Sequence, residues 1–204
     1  MNDNLASKLR ALSPEQLDKL KRAMADRPAP AAGMSRQPQS RSALSAAQLR
    51  LWLMSQVDGA SSAYNIPGVF RVDGALDPAL LRGALRTLQA RHEILRTSFD
   101  VDQDKQPYQS IDATAAIDFN ALPADGRSVD ELAREVMLAP FDLRTGPLWR
   151  ARLVTLGERE HVLIFSFHHI VFDGWSLGVF ARELFALYGD GKGRHPGMPM
   201  PAHQ

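Results

Sequence analysis

Two adjacent histidines, an aspartate four residues after the second, and the glycine that follows it are the residues of this chain best equipped for proton chemistry. They lie in Ser166-Phe167-His168-His169-Ile170-Val171-Phe172-Asp173-Gly174-Trp175-Ser176. The stretch follows the most apolar run in the sequence, Val162 to Phe167, and precedes a segment with helical spacing, Leu177 to Tyr188. Successive side chains on a strand point to opposite faces, so His168 and His169 share one space only if the strand has already ended. One imidazole is therefore expected to be structural and the other available. An imidazole titrating near pH 6.5 can take a proton at neutral pH and return it, as a general base must. Asp173 sits where the chain turns from strand to helix, and can orient an imidazole or pair with an arginine and hold the loop. Gly174 permits a backbone geometry, or a close approach of substrate, that a Cβ would forbid.

The rest of the chain must place these groups. Its 204 residues are 45% hydrophobic and 23% charged, an ordinary globular composition that predicts one domain with a sizeable core. A formal net charge of +1 gives no basic field for nucleic acid or an anionic membrane surface. The lack of cysteine excludes disulfides, thiol nucleophiles and thiolate metal sites. The N-terminus has no signal-peptide pattern and no apolar run approaches the length of a membrane span, so a cytoplasmic location without a membrane partner is the expectation.

In chain order, Leu5 to Met24 carries apolar residues at broadly helical intervals, with Ser13-Pro14-Glu15-Gln16 as a helix-start signal. Residues 1–25 read as a short helical element, either a frayed extension or a docking element for a partner protein. Residues 26–42, rich in Pro, Ala, Ser, Gln and Arg, read as a flexible linker. The main fold is expected over 43–190 and an unstructured tail over 191–204. Within the fold the spacing predicts a helix from Ser45, a turn over Tyr64 to Gly68, a strand over Val69 to Val72, and an amphipathic helix opened by Asp77-Pro78. A strand ending at Phe99 should pair with Pro107 to Ile111. Val129 to Leu138 reads as a helix, Pro147 to Val154 as a half-buried strand, His161 to Phe167 as its hairpin partner, and Trp175 to Tyr188 as a helix stopped by Gly189 to Gly193.

Three other chemistries fit less well. Gly174-Trp175-Ser176-Leu177-Gly178 has the spacing of a nucleophile elbow, but an elbow serine belongs at the strand-to-helix junction, and the histidines that follow it, His195 and His203, lie with Asp190 in the glycine- and proline-rich tail. A catalytic zinc needs three well-held ligands, whereas His92 and His161 are better explained by their places in the fold. His168 with Asp173 matches a His-x4-Asp spacing used by membrane glycerolipid acyltransferases, without a membrane-binding segment beside it.

Four segments in order carry a more specific resemblance. His168 to Gly174 reads HHxxxDG, the signature of the condensation domains of nonribosomal peptide synthetases, relatives of chloramphenicol acetyltransferase. Ser45 to Leu53 resembles that family's first core motif, and Arg91-His92-Glu93-Ile94-Leu95-Arg96-Thr97-Ser98-Phe99 matches its second, RHExLRTxF. Phe141-Asp142-Leu143 with Gly146 to Arg150 is similar to a further recurring segment.

The resemblance implies an α/β fold with a mixed sheet: a chloramphenicol acetyltransferase-like lobe, the first half of a two-lobe domain whose active site lies in a tunnel between the lobes. Carrier proteins would bring a donor acyl thioester and an acceptor amine on phosphopantetheine arms, with no cofactor bound directly. His169 would be the catalytic histidine and His168 would support the loop. Asp173 would be structural, ion-paired to a buried arginine, with Arg96 and then Arg91 as candidates. The backbone N–H of Gly174 would help stabilise the oxyanion. The product would be an amide, and epimerising or ester-forming variants use the same signature. Because no second lobe follows, the chain alone is expected to have little or no activity. Because no carrier domain precedes residues 5–24, the donor carrier is expected from another polypeptide. The alternative is a non-catalytic carrier-binding module or a truncated remnant.

Overall fold

The computed structural model describes residues 41–58 and 62–192. The helical element predicted over 1–25, the linker up to residue 40 and the tail from 193 lie outside the described residues. Strands β2 (Asn65–Asp73), β5 (Phe119–Pro123), β6 (Trp149–Gly157) and β7 (Glu160–His168) form a mixed sheet in the order β2-β7-β6-β5, antiparallel except for the parallel β5–β6 pair. A smaller antiparallel sheet has the order β1-β4-β3, from β1 (Arg41–Ala43), β3 (Thr97–Val101) and β4 (Pro107–Ile111). The α-helices are α1 (Ala46–Asp58), α2 (Pro78–Arg91), α3 (Val129–Leu138) and α4 (Gly174–Lys192). A 3-10 turn, Glu93–Arg96, joins α2 to β3.

The alternation of β7 divides the core. Leu163, Phe165 and Phe167 join Trp149, Ala151 and Leu153 of β6 in one cluster with Leu81, Leu85 and Leu88 of α2 and Phe180 and Leu184 of α4. Val162 and Ile164 face the other way, onto Leu132, Ala133 and Val136 of α3. Fully burying one such large apolar side chain contributes about 1.5–3 kcal/mol, so these rings fix where β7 ends. Trp149 stacks on Phe167 and donates its indole N–H to Gln89 Oε1 and the Leu95 carbonyl, each at 3.0 Å. Those bonds tie the sheet to the turn after α2.

Helix starts follow their caps. Asp77 accepts the N–H groups of Ala79 and Leu80 with Pro78 at the first helical position. Ser128 and Glu131 make a reciprocal capping box on α3. At the start of α1, Ser45 and Gln48 exchange the same kind of bond.

Several expectations are corrected. Tyr64 to Gly68 is not a turn: β2 starts at Asn65 and runs through Pro67, which the sheet tolerates because β2 is an edge strand. Gly68 in that strand is packed closely, since a Cβ there would lie 3.0 Å from Leu177 Cδ1 of α4. β6 is buried rather than half-buried, because α3 covers its second face. β5 went unread because it buries only Phe119 and shows no alternation. β1 takes in Arg41 and Ser42, read as linker, and the Arg41 guanidinium lies 4.5 Å over the Tyr108 ring. α4 runs to Lys192, past the glycines expected to stop it and two residues into the stretch read as tail.

Candidate active site

β7 ends at His168, and that boundary separates the two imidazoles. His168 is the last residue in the ladder and only 3% exposed, with the Tyr64 and Phe141 rings at 6.2 and 6.3 Å. Its backbone N–H reaches the Leu148 carbonyl and its carbonyl receives the N–H of Val171. Its Nδ1 accepts the N–H of Ile170 at 3.1 Å, which requires the ring proton to be on Nε2. Burial, with a smaller contribution from neighbouring His169, pushes the His168 pKa down to about 4, so the ring is neutral at physiological pH.

His169 is past the strand, freed from its alternation, and exposed. Its backbone N–H is anchored on the Tyr64 carbonyl. Its Nδ1 lies 2.9 Å from the Phe172 carbonyl oxygen, which can only accept, so Nδ1 is the donor and in the neutral ring the lone pair is on Nε2. A neutral imidazole with a bare, accessible Nε2 is equipped to take a proton. The ring lines an open cleft of about 330 Å³ together with Ser45, Gln48 and Leu51 of the α1 region, Ile94, and Phe172. The sequence reading singled out the histidines but not these walls. Their signal lay in the Ser45 to Leu53 and Arg91 to Phe99 segments, read there as family motifs without a role for each residue.

Asp173 corrects the sequence reading. It is exposed, and its Oδ1 accepts the Ser176 N–H at 2.8 Å and the Ser176 hydroxyl at 2.6 Å. Those two bonds hold its pKa below the usual carboxylate range. It is the start signal of α4 rather than one half of a buried ion pair. Neither candidate arginine reaches it. Arg96 lies 3.6 Å from Glu93, and Arg91 pairs with Glu183 at 2.9 Å, where His92 Nε2 also sits at 2.9 Å. Arg96 is largely buried beside Glu93 of its own 3-10 turn, and Glu183 of α4 holds Arg91. Ser176 is inside the first turn of α4 with its hydroxyl committed to Asp173, not at a strand-to-helix junction. Gly174 opens α4, and a Cβ there would meet nothing within 4 Å, so the fold itself places no demand for glycine at that position. Its neighbour Trp175 is 85% exposed. His161 is buried at the opposite end of β7, far along the strand from His169.

Comparison with known proteins agrees with this geometry. The model of the condensation domain family matches residues 39–202. The chain is 48% identical over 156 residues to chondramide synthase cmdD of Chondromyces crocatus, a match covering 72% of this chain and 4% of that protein. It is similar to the starter condensation domain of rhizomide synthetase RzmA, with a TM-score of 0.69 and 27% identity, covering 79% of this chain and 40% of that one. It is also similar to the X-domain solved in complex with OxyB from teicoplanin biosynthesis, with a TM-score of 0.68 and 35% identity over 82% of this chain and 37% of that one. The matched region is thus a small part of the curated synthetase and well under half of each solved chain. With the HHxxxDG loop, the mixed α/β lobe and a family match over most of its length, the chain belongs to the condensation domain family of nonribosomal peptide synthetases.

Proposed function

We propose that this lobe supplies the base for amide-bond formation between two carrier-bound substrates in nonribosomal peptide synthesis. The acceptor amine attacks the donor thioester carbonyl, the new C–N bond forms, and the C–S bond breaks to release the pantetheine thiolate. Nε2 of His169 takes a proton from the attacking nitrogen and returns it to the departing sulfur. The carrying observation is the Nδ1–H···O contact between His169 and Phe172, which in the neutral ring puts the lone pair on Nε2, on a residue that lines the cleft. The N-terminus of α4, with the Gly174 N–H, is the candidate oxyanion donor. Substrates arrive on phosphopantetheine arms of carrier proteins, with no resident cofactor, and the rest of the domain provides the other wall that aligns amine and thioester. Residues 5–24 are the candidate docking element for a carrier.

A second reading, a non-catalytic binding module, draws support from the likeness to an X-domain whose solved form is a complex with another protein. The two separate in one experiment on the complete domain containing this lobe. With loaded donor and acceptor carriers, His169→Ala abolishes the amide product if the lobe is catalytic. If it leaves the product unchanged, the binding-module reading stands.

A further inference from the structure

Of the three residues between the second histidine and the aspartate, Phe172 is the aromatic one. Although it lies in a loop, its side chain is buried. Its ring stacks on Phe167 with centroids 3.7 Å apart and planes 5° from parallel, and meets Phe180 edge-on at 5.9 Å. Phe167 is itself fully buried, held by Phe180 at 5.0 Å and stacked with Trp149 and Phe165. The loop is thus pinned through an aromatic array that spans β6, β7 and α4. The carbonyl of this same pinned residue receives the Nδ1 proton of His169.

We propose that Phe172 is a positioning residue whose stacking on Phe167 holds its own carbonyl against His169 Nδ1 and so keeps the basic lone pair on Nε2. A backbone carbonyl in an open turn can rotate away by a modest change in ψ, and an exposed imidazole released from it samples both tautomers. Flat stacking of the two rings holds the Cα–Cβ bond of Phe172 in one place, and with it the point of the backbone from which that carbonyl hangs. An aliphatic side chain of similar volume fills the space but does not impose the plane. The side chain at position 172 therefore sets a property of position 169 without touching substrate.

This inference rests on the reading of His169 as the base, and its test does not use turnover. Long-range 1H–15N spectra of the histidine-labelled full chain, recorded where the histidines are neutral, report the protonated nitrogen of each ring. Wild type should show a single Nδ1–H state for His169 and a single Nε2–H state for His168. Phe172→Met, which keeps a large apolar side chain without the ring, should lose the single Nδ1–H signature and give a mixture of tautomers at His169 while His168 stays unchanged. Phe172→Tyr, which keeps the stack, should retain the wild-type state. A single Nδ1–H state in Phe172→Met would overturn the assignment. If that variant lost the His168 signature as well, Phe167→Leu, which removes the stacking partner but leaves Phe172, decides between the same two outcomes: a mixture supports the role and a retained single state rejects it. Failure of catalysis with His169 still in the Nδ1–H state would instead count against the base.

Discussion

As neutral rings, His168 and His169, neighbours in sequence, hold their protons on opposite nitrogens. The first accepts the Ile170 N–H at Nδ1, and the second gives its Nδ1 proton to the Phe172 carbonyl. One ring is thereby spent on the turn that follows β7 and the other is left with Nε2 free. The different environments come from a single structural event, the end of the strand between them.

The buried ring should make stability pH-dependent. The His168 pKa falls from 6.5 to about 4 on folding, so between those values the unfolded chain binds a proton that the folded chain does not. Its contribution is complete above about pH 6.5 and is lost as pH falls toward 4, by up to about 1.4 kcal/mol per pH unit. Urea unfolding across that window should show His168→Asn, which keeps an acceptor near the Ile170 N–H but does not titrate there, with a flatter pH dependence than wild type. Equal slopes would remove His168 as the source.

The Asp173 finding separates a helix cap from an ion pair. Asparagine caps a helix about as well as aspartate, whereas alanine loses about 1 kcal/mol. In urea unfolding, Asp173→Asn should stay close to wild type and Asp173→Ala should be weaker by about that amount. Equal losses in both would mean that the negative charge itself is needed, as an arginine partner would require.

Trp149 should be costly to trim even conservatively. Trp149→Phe removes the N–H that serves both Gln89 Oε1 and the Leu95 carbonyl in a fully buried place. Leaving such acceptors unpaired costs about 1–3 kcal/mol, and the smaller ring adds a cavity. A destabilisation of about 3 kcal/mol in urea unfolding is expected, and a change below about 0.5 kcal/mol would contradict the bonding described.

How much of this was legible in the chain differed by element. The α2 helix announced itself through Asp77-Pro78, a local signal that needs no partner, and α3 was legible over Val129 to Leu138, whereas its Ser128–Glu131 capping box was not read. That one histidine would be structural and the other available was legible in the strand pattern, whereas their separation comes from β7 ending at His168. Strand β5 and the Pro67 segment were not legible, because an exposed strand and an edge proline acquire meaning only from the sheet they join. The Asp173 pairing was misread since Ser176, three residues on, competes for the carboxylate at short range, and an arginine elsewhere in the sequence carries no distance. Phe172 was invisible for the same reason, as its stacking partner is known only once the loop folds back on Phe167.

Single-turnover amide formation by the complete domain containing this lobe, with both carriers loaded, tests the role of His169 most directly. Loss of a general base typically costs about 10²- to 10⁴-fold. His169→Ala should fall by that much while retaining the wild-type urea midpoint. A His169→Ala rate equal to wild type would contradict the assignment of His169 as the base.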